Sequence, residues 1–181
     1  LQADGHPLPL TQMQWSRDSF WLPVLKGKAR GIEFTMTILT PIGERGFAIR
    51  MELAGDVQSA ITWGLEGCWE SSWHCINEDK PLDGTMHCYE SGWNHSIVFD
   101  FRCGAPMFAF APMCDREIQS AFSKTDSGIS YTLTETFELL PGGSHSAIFY
   151  WGLGFEEVAA ATSAKEMLRR GWDWEYQRTT R

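Results

Sequence analysis

Alternation at a period of two runs through this chain in segment after segment. Ile32, Phe34, Met36 and Ile38 alternate with Glu33, Thr35 and Thr37. After turn chemistry at Thr40-Pro41-Ile42-Gly43-Glu44-Arg45-Gly46, Phe47, Ile49, Met51 and Leu53 alternate with Ala48, Arg50 and Glu52. Successive side chains on a strand point to opposite faces, so this pattern predicts a β-hairpin with a buried face and a wet one. Ile129, Tyr131 and Leu133 repeat it against Thr132, Thr134 and Thr136, and Ala147, Phe149 and Trp151 repeat it again. Further strands are expected near 14–25, 57–63, 86–90, 96–102, 107–111 and 117–122. Pro23 marks an edge or a bulge in the first of these, and Lys26-Gly27-Lys28-Ala29-Arg30 reads as a solvated turn. About nine strands punctuated by turns predict an all-β fold, an antiparallel two-sheet β-sandwich.

The last segment is different in kind. Residues 156–170 carry Ala159, Ala160, Ala161, Ala164, Met167 and Leu168 without glycine or proline, which predicts a helix. Glu156 and Glu157 at its start and Arg169 and Arg170 at its end suit the helix dipole, and Gly171 reads as its stop. Trp172-Asp173-Trp174-Glu175-Tyr176 begins something further. The expected organisation is a sandwich over residues 1–154, then a linker helix and the start of a downstream domain over 155–181. On this reading Trp172, Trp174 and Tyr176 form a docking surface, left exposed or folded back. The chain opens on Leu1 rather than Met, so an earlier N-terminus is also expected.

Between Gly64 and Gly92 the alternation weakens, and three tryptophans fall there. Trp69, Trp73 and Trp93 are candidate platforms for the apolar C–H face of a sugar ring, with Glu70 and His74 chemically suited to take its hydroxyls. Asn77, Asn94 and His95 are suited to the same task. The plainer alternative is packing, since Trp is highly buried on average. Trp15, Trp21, Trp63 and Trp151 fall on strand patterns and are expected in the core. Acidic residues recur in the same region (Glu66, Glu70, Glu78, Asp79, Asp83 and Glu90), but no spacing singles out an acid–base pair.

Composition excludes several classes. The net charge is −8, which argues against a nucleic-acid binder. No apolar run approaches the ~20 residues that span a bilayer. Five cysteines cannot all pair, so free thiols in a reducing cytoplasm are expected. Cys68, His74, Cys75, His87 and Cys88 lack CxxC spacing, and adjacent His-Cys residues on a strand face opposite ways, so no metal or other cofactor is expected. No serine lies in a GxSxG setting, and Gly142-Gly143-Ser144 is too short for a phosphate loop.

Residues 129–176 carry a resemblance. The run Phe137-Glu138-Leu139-Leu140-Pro141-Gly142-Gly143-Ser144, the strand through Gly154 and the alanine-rich helix ending at Gly171-Trp172 follow in close order. This is similar to the end of the N-terminal β-sandwich, of the super-sandwich type, in glycoside hydrolases with an (α/α)6 catalytic toroid, glucoamylase-like or glycogen-debranching-like. The resemblance implies a non-catalytic domain whose partner is the toroid of the same polypeptide, with oligosaccharide as a further ligand. Catalytic carboxylates would lie on the toroid, so none is expected here. A stand-alone carbohydrate-binding module and a structural domain without ligand are the alternatives.

Overall fold

The computed structural model describes residues 1–9, 13–19, 21–70, 85–92, 96–102, 108–125 and 128–181. Among them are thirteen strands and two helices, and every strand pairing is antiparallel. The chain is an all-β, two-sheet sandwich with helices at its C-terminal end.

The larger sheet holds eight strands in the order β3-β4-β5-β6-β13-β10-β9-β8. These are β3 (Gln14–Asp18), β4 (Leu22–Ala29), β5 (Ile32–Leu39), β6 (Gly46–Gly55), β13 (Gly143–Gly154), β10 (Phe108–Cys114), β9 (Ile97–Arg102) and β8 (Thr85–Glu90). The smaller sheet runs β11-β12-β7-β1-β2, built from β11 (Gln119–Thr125), β12 (Gly128–Leu139), β7 (Ser59–Glu70), β1 (Gln2–Ala3) and β2 (His6–Pro7). The expected hairpin at 32–53 forms, with Leu39 opposite Ala48 and Ile32 opposite Gly55. The turn at Leu140–Gly142 does more than reverse the chain, because it carries it from the small sheet into the large one. There Gly142, at φ 71°, donates its N–H to the Gly55 carbonyl.

Two local expectations change. Lys26 to Ala29 belong to strand β4, and the reversal is the two-residue turn Arg30-Gly31, with φ values of 50° and 79°. Positive φ at both central positions matches the right-handed twist of a hairpin, so the reversal needs no wider loop. Gly64 and Gly67 do not break the chain either, for β7 runs through both and pairs with β12 along its whole length. A side chain at Gly67 would collide with Tyr131, whose ring lies over it and contacts Phe99 and Trp151.

The main core lies between the sheets. Ile61, Trp63, Ile129, Leu133 and Leu139 from the small sheet meet Phe34, Met51, Leu53, Phe99, Ala147, Phe149 and Trp151 from the large one. Each Ile, Leu, Phe or Met among them, fully buried, contributes roughly 1.5–3 kcal/mol. Trp63 and Trp151 are core residues, as expected. Trp15 and Trp21 are not. Trp15 sits on the edge strand β3 at 61% exposure, and Trp21 lies on the turn before β4 at 44%.

A second layer covers the outer face of the large sheet. Helices α1 (Glu157–Arg170) and α2 (Trp172–Thr180) follow β13. Ala160, Ala161 and Ala164 are fully buried, and their small side chains let α1 lie directly on β13. An added Cβ at Gly152 would stand only 1.9 Å from the Ala160 carbonyl oxygen. Leu22, Leu39, Ala48, Tyr150, Met167 and Trp172 then form a core of their own beneath the helices. This explains Thr37, which the alternation places on a wet face but which is buried. Gly171, at φ 80°, ends α1 with its N–H on the Met167 carbonyl, and the chain turns into α2. Trp172 is buried, while Trp174 stays half exposed. No helix in the described residues is long and apolar enough to cross a membrane.

Candidate functional site

Trp69 and Glu70 occupy the last two rungs of β7, opposite Ile129 and Gly128 of β12. Trp73, His74 and Trp93 lie outside the described residues, as do Asn77, Glu78, Asp79, Asp83, Asn94 and His95.

Immediately before Trp69, the same strand lines a depression of about 560 Å³ on the outer face of the small sheet. Glu66, Gly67 and Cys68 come from β7, Ser130, Tyr131 and Thr132 from the neighbouring β12, and Ala121, Phe122 and Ser123 from the edge strand β11. Register explains the set: Glu66, Thr132 and Ala121 form one cross-strand row, and Cys68, Ser130 and Ser123 form the next. A further hydroxyl pair, Thr62 and Thr136 at 3.0 Å, extends the polar face along the strands. Phe122 is half exposed at the edge. The alternation marked Thr132 and Thr134 as a polar face, but it did not show which strands would lie beside them.

Chemically, this surface presents hydroxyls, which donate and accept, and one carboxylate, which accepts only. That is the complement of a polyol. An aromatic rim adds an apolar plane. No group here is poised for nucleophilic attack. Burial pushes the Cys88 and Cys114 thiols up to about 12, which leaves them protonated and unreactive at neutral pH. Cys68, on the depression, is free and exposed.

Buried carboxylates elsewhere are engaged by their neighbours. Asp100 and Glu157 share one tyrosine: the Tyr89 hydroxyl is 3.5 Å from Asp100 Oδ2 and 3.1 Å from Glu157 Oε2. Ser91 also donates to Glu157, in the first turn of α1. Glu135, on the inner face of β12, accepts from the Trp63 indole at 2.9 Å and lies 3.0 Å from His145 Nε2. Glu175 is held by two arginines of the helices. The described residues contain no group of three or more His, Cys, Asp or Glu able to hold a metal ion.

No protein-family model matches the sequence, and no curated protein matches it. Solved structures do match the fold. A protein named as a kojibiose phosphorylase from human microbiome superposes with a TM-score of 0.68 at 9% identity, covering 99% of this chain and 26% of its own. A heparinase III superposes with a TM-score of 0.54 at 8% identity, covering 87% of this chain and 24% of its own. This chain thus spans about a quarter of the length of each. At these identities the likeness is one of fold: a two-sheet sandwich, as the resemblance in residues 129–176 implied, that also occurs as one part of much longer chains.

Proposed function

We propose that this chain is the N-terminal β-sandwich of a larger carbohydrate-active enzyme, where it supports a separate catalytic domain and contributes a surface for oligosaccharide. One observation carries the reading: nearly the whole chain superposes on about a quarter of a protein named as a kojibiose phosphorylase. The site chemistry agrees with a sugar ligand, for hydroxyls of Ser123, Ser130 and Thr132 flank Glu66 on the outer face of the small sheet. The carboxylates of Glu135, Glu157 and Glu175 are each held by neighbouring side chains, which supports assigning hydrolysis or phosphorolysis to the partner domain. The free thiols accord with a reducing compartment such as the cytoplasm.

The test has two arms. Activity on malto-, gluco- and rhamno-oligosaccharides is measured for residues 1–181 and for the complete polypeptide of the gene, with turnover expected only in the second. Tryptophan fluorescence is followed while the same sugars are titrated into residues 1–181, then into Glu66→Ala and Trp69→Ala. Quenching that the substitutions weaken supports the binding surface. A flat signal at millimolar sugar leaves the scaffold role alone.

A further inference from the structure

Among the described residues eight large hydrophobic side chains stand exposed, and five of them gather at one end of the sandwich. Trp21 lies on the β3–β4 turn, Ile42 on the β5–β6 connection, Phe155 just before α1, Val158 in its first turn, and Trp174 on α2. The 42–45 segment joins them into one surface. The Arg45 guanidinium lies 5.3 Å from the centre of the Phe155 ring. Gly43, Glu44 and Arg45 share a depression of about 480 Å³ with Val158 and Arg170. Arg170 and Arg178 stack on Trp174 at 5.2 and 4.6 Å, and the Ile42 N–H donates to Thr179 Oγ1 at 3.3 Å. Trp21 adjoins through Ser19, whose hydroxyl is 3.1 Å from that of Tyr176.

Exposed apolar residues scattered singly need no explanation, but a contiguous set rimmed by charge marks an interface. We propose that this end of the sandwich is the surface on which polypeptide following residue 181 docks as a folded domain. The inference rests on the reading above, that the chain belongs to a larger enzyme, and names the contact surface of that arrangement. Two observations choose this occupant over a second copy. Thr179 packs beside Ile42, so any polypeptide continuing past Arg181 leaves from this surface. The structure that superposes on 99% of this chain has most of its own length outside the match. The chemistry also fits, since apolar side chains among Arg45, Glu44 and Arg170 give the mixed character of contacts between domains of one chain.

Hydrogen exchange and calorimetry on the complete polypeptide test this, with Val158→Asp and Leu140→Asp as variants. An acid in the first turn of α1 suits the helix dipole, so Val158→Asp leaves the sandwich folded. The expected result is protection of segments 40–46 and 155–162 that Val158→Asp weakens about ten-fold, with one melting transition splitting into two. Leu140→Asp, equally exposed at the opposite end of β13, changes neither. Segments that exchange freely beside a folded downstream domain overturn the docking surface and leave the enzyme-domain reading standing. Protection that depends on protein concentration assigns the surface to a second copy and overturns the proposal. A gene that encodes no folded domain after Arg181 overturns both.

Discussion

Arg170 places its Nε 2.6 Å from the Glu175 carboxylate, and Glu175 is wholly buried. The other oxygen of Glu175 lies 2.9 Å from Arg178 Nη2, and both arginines also reach Glu44 on the β5–β6 connection. Together with Glu44 this carboxylate therefore ties the end of α1, the body of α2 and the β5–β6 connection of the large sheet.

Glu175→Ala should be severely destabilising. Removing it leaves two partly buried guanidinium groups to share Glu44 alone, a loss toward the lower end of the roughly 3–5 kcal/mol that breaking a buried pair costs. Glu175→Gln keeps an acceptor for one of them and should cost less. Urea denaturation followed by far-ultraviolet circular dichroism measures both, and near-ultraviolet signal from Trp172 reports whether α2 has left the sheet. Equal stability of Glu175→Ala and the parent chain would show that the cluster carries no energy.

Gly152→Ala tests how closely α1 lies on β13. An added methyl would stand 1.9 Å from the Ala160 carbonyl oxygen, a contact with backbone that no rotamer relieves. Overpacking of this kind costs about 1–3 kcal/mol, and the rigid neighbour puts this site at the upper end. Gly92→Ala is the control, since nothing lies within 4 Å of its added methyl. A melting temperature unchanged by Gly152→Ala would mean that the helix sits farther from the strand.

These two sites also show what local sequence reveals and what it hides. The hairpin at 32–53 is legible because each strand has one apolar face against the other sheet, and alternation records that directly. Thr37 and Ala48 are different: their burial depends on helices more than a hundred residues away, which no window of local sequence contains. Glycines mislead for a related reason. Gly64 and Gly67 resemble breakers, yet β7 passes through them because Leu133 and Tyr131 of the partner strand need the room. Trp15 has the strand pattern of a core residue, but β3 is the edge of its sheet. At the candidate site, Glu66 was visible as an acidic residue, whereas its row with Thr132 and Ala121 exists only through strand register.

Glu135 faces inward, where a carboxylate is costly unless its neighbours satisfy it. Trp63 supplies one donor, and Phe137 stacks on His145 at 3.6 Å, holding the imidazole beside it. Glu135→Leu removes the acceptor of the indole N–H of Trp63, a residue 2% exposed, a loss of about 1–3 kcal/mol. Glu135→Gln keeps an acceptor and should recover most of that. Chemical denaturation of the two variants checks the order, and a Leu variant as stable as the Gln variant would contradict the role given to this bond.

The buried thiols predict how stability depends on alkaline pH. Cys88 and Cys114 ionise only near pH 12 in the folded chain, whereas an unfolded cysteine ionises near ~8.5. Below the unfolded value both states keep their protons, so these groups leave stability unchanged there. As pH rises above it the unfolded chain loses protons that the folded chain keeps, and stability falls toward pH 12. Urea midpoints between pH 8 and 10.5 should decline, and decline less steeply in a Cys88→Ala, Cys114→Ala variant. In a Cys75→Ser, Cys103→Ser background at pH 8, iodoacetamide should label Cys68 first and reach the other two thiols only when urea unfolds the chain. Parallel pH profiles for the parent and the double alanine variant would show that the thiols ionise while still folded.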